Sequence, residues 1–125
     1  MVDGDTLRVR IDGVEERVRL IGVDTPEMAS DERAAEPLAE DAKAYLEELV
    51  ADGSVCLERD ASERDRYERL LRYAWLSDGQ MVSEALVAAG LGRVVTFPPD
   101  VKYHEARLLP AEHEAAAAQR GIWSE

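Results

Sequence analysis

The chain has 125 residues, a formal net charge of −12 and a pI near 4.6. Its length suits one domain over residues 1–125, and its acidity argues against a protein that grips nucleic acid by bulk positive charge. The lone Cys56 rules out an internal disulfide framework or a cysteine-rich zinc site, no apolar run reaches the roughly 18 residues of a membrane span, and no signal-peptide pattern opens the chain, which leaves the compartment unassigned.

Thr6–Ile11 alternates polar and apolar residues with period 2, as a half-buried strand does. Asp12-Gly13 follows as a hairpin signal, and Val14 to Val23 reads as the return strand, with Val18 and Leu20 on one face. Residues 28–34 are polar and irregular and read as a loop. From Pro37 to Ala51 the apolar residues Leu38, Ala42, Tyr45, Leu46 and Leu49 have helical spacing. Pro37 suits the first turn of that helix, and Gly53 lies past its end. Val55–Glu58 is a short predicted strand, residues 59–66 a charged connection, and Leu70–Leu76 another strand. Met81–Ala89 reads as a helix stopped by Gly90. Arg93–Phe97 reads as a strand ended by Pro98-Pro99. Tyr103 to Arg120 has helical composition, but Pro110 lacks an N–H and clashes with the preceding turn, so a break is expected near Leu109. This order of elements implies an antiparallel or mixed sheet with helices at one side, an α+β fold.

The charge is uneven. Residues 59–72 hold five arginines, Arg59, Arg64, Arg66, Arg69 and Arg72, against four acids. Arg is a planar fork of donors suited to phosphate and carboxylate, although surface pairing with nearby acids is the commoner use.

Three short stretches carry candidate chemistry. In Asp3-Gly4-Asp5-Thr6 the two acids are two residues apart and face the same way if the chain is extended. Paired carboxylates suit a hard divalent cation, and the same residues are also ordinary turn composition. Asp24-Thr25-Pro26-Glu27 ends the predicted return strand; it fits a capping box, or a second metal carboxylate beside a base. Asp65-Arg66-Tyr67-Glu68-Arg69 offers two guanidinium groups and a phenol to an anion. Arg19 falls on neither a clean core face nor a turn. Together these are the parts that phosphodiester hydrolysis needs: a cation at a phosphate oxygen, a carboxylate to deprotonate water, and arginines for the transition-state charge. Such a local site also reconciles a phosphate substrate with an acidic surface.

At these residues the chain resembles the staphylococcal nuclease-like, or thermonuclease, family. The likeness runs through Val2-Asp3-Gly4-Asp5-Thr6, the stretch Arg19 to Glu27, Asp65 to Arg69, Met81 to Val87, and Gly121-Ile122-Trp123. It implies an OB-type five-stranded barrel, its first strand truncated here, with three helices. It also implies Ca2+-dependent endonuclease activity on DNA and RNA; the chain itself is expected to be a monomer with no obligate protein partner and no membrane association. By the same resemblance Asp5 and Asp24 bind Ca2+ through carboxylates and Thr25 through its carbonyl. Glu27 is the general base, Arg19 and Arg69 bind the scissile phosphate, and Arg66 and Tyr67 touch a neighbouring phosphate.

The chain departs from the family in three places. Glu68 stands where the family has glycine, and its carboxylate would either pair with Arg69 or turn to solvent. Thr96 and Pro98 stand near the places of the family's nucleotide-stacking tyrosines, with Phe97 and Tyr103 as possible substitutes. Met1 falls two residues before Asp3, where the family has a preceding strand. The competing reading is a non-catalytic nuclease-like OB domain that binds nucleic acid or protein; retention of Asp5, Arg19, Asp24, Glu27 and Arg69 favours the enzyme. A plain OB-type binder of oligonucleotide or oligosaccharide lacks support from the few aromatics.

Overall fold

A computed structural model describes residues 3–30 and 33–124. Val2, the first residue of the first motif, and two residues of the predicted 28–34 loop lie outside this described part. Strand β1, Thr6–Ile11, and strand β2, Val14–Leu20, form the predicted antiparallel hairpin with Leu7 opposite Val18. Leu7, Val18 and Leu20 turn into the core, while Arg8, Arg10 and Arg17 face solvent. The period-2 pattern is thus expressed as two chemically distinct faces.

The return strand ends at Leu20 rather than Val23. Ile21-Gly22 form a turn, held where the Ser83 hydroxyl donates to the Ile21 carbonyl at 2.7 Å. This turn redirects Val23–Asp24, strand β3, out of the main sheet. No helical turn follows Asp24: residues 25–30 are irregular, so the capping-box alternative is not realised.

Helix α1, Ala39–Leu49, starts two residues after Pro37 because Leu38 adopts a left-handed conformation at φ 69°. Ala39, Ala42 and Leu46 form its buried face. Strand β4, Cys56–Glu58, pairs antiparallel with β5, Leu70–Trp75, and β5 runs parallel to β2 with Val18 opposite Leu70. The main sheet therefore has the order β1-β2-β5-β4, with β1 and β4 at its edges. Helix α2, Val82–Ala88, buries Val82, Leu86 and Val87 against Leu20, Leu46 and Ala74. Strand β6 is only Arg93–Val94, since it pairs with two-residue β3, Asp24 opposite Arg93. The result is an α+β fold of OB type: a curled mixed sheet with three helices.

The break expected at Pro110 takes an unusual form. His104–Leu108 make a π-helical turn, in which the Leu108 amide reaches back to the Tyr103 carbonyl at 3.0 Å, and helix α3, Leu109–Ala117, follows directly. Pro110 falls in the first turn of α3, where a missing N–H costs nothing. The change of helix type does the work of the break without a loop. Among the described residues no helix is long and apolar enough to cross a membrane.

The C-terminal segment is fastened to α2 by a close backbone approach. The Ile122 amide donates to the Gly90 carbonyl at 2.7 Å, and a Cβ on Gly90 would lie 2.3 Å from the Arg120 carbonyl oxygen. Gly90 also has φ 76°. Gly90→Ala should therefore cost at least ~2 kcal/mol and lower the melting temperature by roughly 6–10 °C in thermal denaturation.

Candidate active site

Gly4 lets the Asp3-Gly4-Asp5 turn lie directly on α1; a Cβ there would meet the Ala42 Cβ at 2.8 Å. The turn buries Asp5 to 4% exposure. A buried carboxylate must be satisfied, and Asp5 is. It accepts the Thr6 hydroxyl at 3.2 Å and the Thr25 amide at 3.0 Å, and Arg19 lies 3.5 Å away. Asp3 does not share this role. Its carboxylate accepts the Met28 amide at 2.9 Å, because the chain turns here and the two acids do not face one way.

Arg19 is the hub of this region. One nitrogen donates to the Leu20 and Val23 carbonyls at 2.6 and 2.7 Å, and another lies 3.5 Å from Asp5 and 3.7 Å from Asp24. Only 16% of its side chain is exposed. Partial desolvation and the adjacent Asp5 charge raise the Asp24 pKa above the ordinary aspartate value, with Arg19 pulling the other way. Thr25 is buried, and its hydroxyl oxygen has no hydrogen-bond partner.

Glu27 sits on the loop after β3. Its amide donates to a Glu36 carboxylate oxygen at 2.7 Å, its carbonyl accepts the Glu36 amide at 2.8 Å, and its carboxylate meets Arg33 at 3.1 Å. Both side chains of that ion pair are more than half exposed. Nothing in the sequence pattern singles out Arg33 or Glu36, because the contacts depend on how the loop folds back.

The third motif is organised by Asp65. Its carboxylate accepts the Tyr67 amide at 2.9 Å, the Arg69 amide at 3.0 Å and the Arg69 Nε at 2.7 Å. Burial raises the Asp65 pKa, but these donors outweigh it and hold the group below its ordinary value. Arg69 thus takes Asp65, not Glu68, as its carboxylate partner. Arg66 donates to the Tyr67 hydroxyl at 2.8 Å, and the guanidinium carbons of Arg66 and Arg69 lie 4.9 and 5.3 Å from the centroid of that ring. Arg17 closes the loop onto β2 by donating to the Tyr67 carbonyl at 2.9 Å.

A cleft of about 490 Å3 brings Arg19 together with Asp65, Arg66, Tyr67 and Arg69, and Phe97 forms part of its wall. Asp24 and Thr25 line a neighbouring cleft of about 530 Å3 with Glu36 and Arg93. Glu27 lines neither of these clefts. Of the two stacking candidates only Phe97 is at the site, 69% exposed. The Tyr103 hydroxyl instead donates to Glu58 at 2.8 Å, and its ring meets Tyr73 and Trp75 edge-on.

A curled OB-type sheet carrying paired carboxylates, with a guanidinium-lined cleft beside them, defines the class. The family model described as "Staphylococcal nuclease homologue" matches residues 17–125, and the chain belongs to that family. It is 37% identical over 124 residues to a thermonuclease of Staphylococcus hyicus, covering 99% of this chain and 72% of the relative. It is 39% identical to a thermonuclease of Staphylococcus intermedius, covering 98% and 72% of the two chains. It is also 40% identical to the endonuclease YncB of Bacillus subtilis (strain 168), covering 98% of this chain and 58% of the relative.

Two substitutions test how the third motif is held. Glu68 has φ 65°, a region that favours glycine, and its exposed side chain has no ion pair among the described residues. Glu68→Gly should raise stability by roughly 0.5–1 kcal/mol in urea unfolding, the relief of left-handed strain less the chain entropy of glycine.

The stretch before this motif is pinned by buried Asp100, which accepts the Ala61 and Ser62 amides at 2.9 and 2.8 Å. Burial raises the Asp100 pKa, and the Ser62 and Ala61 donors outweigh it, so the folded value lies below the ordinary one. Its contribution is complete above the unfolded aspartate pKa of about 3.9 and fades as pH falls through the folded value. Urea titrations between about pH 4 and pH 2 should show a shallower acid loss in Asp100→Asn than in the parent, with stability at pH 7 lower by about 1–2 kcal/mol.

Proposed function

We propose that residues 1–125 act as one metal-dependent nuclease unit, a monomeric phosphodiesterase that uses Ca2+ to cut DNA and RNA by in-line attack of water. The observation that carries this reading is the position of Arg19: it contacts both Asp5 and Asp24 and also lines the cleft that holds Arg66, Tyr67 and Arg69. The relatives named as thermonucleases and an endonuclease support the same class of chemistry.

The residues present fit a hard cation. Asp5, Asp24 and Thr25 offer only oxygen ligands, partial burial and then the neighbouring Asp5 charge raise the pKa of Asp24, and the buried Thr25 hydroxyl lacks a partner. Bound through the Asp5 and Asp24 carboxylates and the Thr25 carbonyl, Ca2+ would neutralise phosphate charge and orient a phosphate oxygen. Two carboxylates are few for a tight site, so affinity should rise when a nucleotide phosphate adds an oxygen.

The chain's own groups supply the remaining steps. Arg19 and Arg69 bind the non-bridging oxygens of the scissile phosphate and stabilise the charge that builds there. Arg66 and Tyr67 hold a neighbouring phosphate. Glu27 takes a proton from the attacking water as its oxygen bonds to phosphorus, and the departing ester oxygen is protonated from solvent. The exposed Arg33 partner is weakly held and yields Glu27 at small cost.

Incubation of DNA and of RNA with Ca2+ or with EDTA tests this directly. Cleavage should require Ca2+ and should fall about 100-fold or more in Glu27→Gln. Asp24→Asn should lose Ca2+ binding in calorimetry. Binding of DNA without any Ca2+-dependent cleavage would replace the enzyme by the non-catalytic domain.

A further inference from the structure

The site described above uses three of the protein's arginines, and most of the others are neutralised. Arg59, Arg64, Arg72, Arg107 and Arg120 each meet a carboxylate at 2.8–3.4 Å. Among the described residues outside the cleft, Arg10, Arg17 and Arg93 have no carboxylate partner; Arg93 lies over the Trp123 ring, whereas Arg10 and Arg17 both lie on the solvent face of the β1–β2 hairpin.

The register makes this face a row of like charge. Arg8 stands directly opposite Arg17, Arg10 follows Arg8 two residues along β1, and Arg19 follows Arg17 two residues along β2. Like charges directly opposite in an antiparallel pair destabilise it. The acids on the hairpin do little to offset them. Glu15, opposite Arg10, reaches Arg8 only at 4.0 Å with both side chains more than half exposed, and Glu16 is drawn to Arg64. A chain with 27 acidic residues against 15 basic ones has thus left Arg10 and Arg17 unpaired and Arg8 only weakly paired in this row.

This row is joined to the cleft. Arg17 donates to the Tyr67 carbonyl, while Arg66 donates to the Tyr67 hydroxyl. Residues two apart on a strand are about 6.8 Å apart, comparable to the distance between successive phosphates of an extended polynucleotide strand.

We propose that the solvent face of the β1–β2 hairpin is a phosphate track, on which Arg17, Arg8 and Arg10 hold the polynucleotide strand flanking the bond that is cut. The track lengthens the binding site beyond the cleft; its assignment to nucleic acid rests on the nuclease reading, whereas the cationic row rests on geometry alone. It predicts that affinity grows with strand length after the cleft is filled.

Fluorescence anisotropy in EDTA, where no cleavage is expected, measures this for a labelled 20-nucleotide oligothymidylate and a labelled thymidine dinucleotide. The variant is Arg8→Gln/Arg10→Gln, which removes two guanidinium groups without touching the cleft, and its melting temperature confirms folding. For the 20-mer, affinity should fall about tenfold, and the slope of log K against log salt should shrink by about 1.4, two contacts at roughly 0.7 each. Dinucleotide affinity should stay within twofold. Unchanged 20-mer affinity and slope would overturn the track, as would an equal loss for both ligands, which would place the effect in the cleft. Failure of the nuclease reading shows separately, as absent Ca2+-dependent cleavage by the parent protein, and leaves this binding comparison interpretable.

Discussion

The burial of the Asp5 carboxylate is the constraint around which the candidate site is arranged. A charged group in that position must be met on several sides. The groups that meet it come from different segments: the Thr6 hydroxyl from β1, Arg19 from β2, and the Thr25 amide from beyond β3. Satisfying one acid therefore draws three stretches of chain to a point. Arg19 then spends its other donors on the Leu20 and Val23 carbonyls, which shapes the turn that carries Asp24 into place. Gly4 makes the arrangement possible by letting the turn lie against α1.

The same logic, applied to a second acid, builds the arginine loop. Asp65 gathers two backbone amides and the Arg69 side chain, so the guanidinium proposed to meet the phosphate is oriented before any ligand arrives. Acidic residues in this protein are largely organisers of arginine and of backbone amides. That is how a chain of net charge −12 presents guanidinium groups in a cleft. Its overall charge says little about the field at the point where a phosphate would sit.

The hairpin and the three helices were legible because local signals set them, and the candidate site residues were named from family-like motifs. Period-2 alternation around Asp12-Gly13 leaves little choice of structure, and Pro110 announces a helix irregularity even though its form is a π-helical turn. What was not legible depends on partners distant in sequence. The alternation through Val23 looks like continued strand, yet the turn at Ile21 is held by Ser83, 62 residues away. Tyr103 resembles a free aromatic until Glu58, 45 residues earlier, takes its hydroxyl. Asp3 and Asp5 look equivalent in sequence, but the folded loop offers a Met28 amide to one and a Thr25 amide to the other. Asp65 is an intermediate case: its spacing from Arg69 is visible, while its two amide contacts are not.

The parallel pairing of β2 with β5 has a consequence for how the molecule becomes functional. Antiparallel neighbours can zip from a tight turn, but this pair joins Val18 to Leu70 across a long intervening stretch, and such closure is slow because the entropy of the loop must be surrendered first. The carboxylate half of the site lies on the early side of that closure and the arginine loop on the other, with Arg17 and Tyr67 touching across 50 residues. A partly folded chain can thus possess the complete hairpin and still lack a cleft. The cleft, in such a topology, depends on contact between segments far apart in the chain, so loss of the β2–β5 pairing would remove it even where the hairpin and the helices persist.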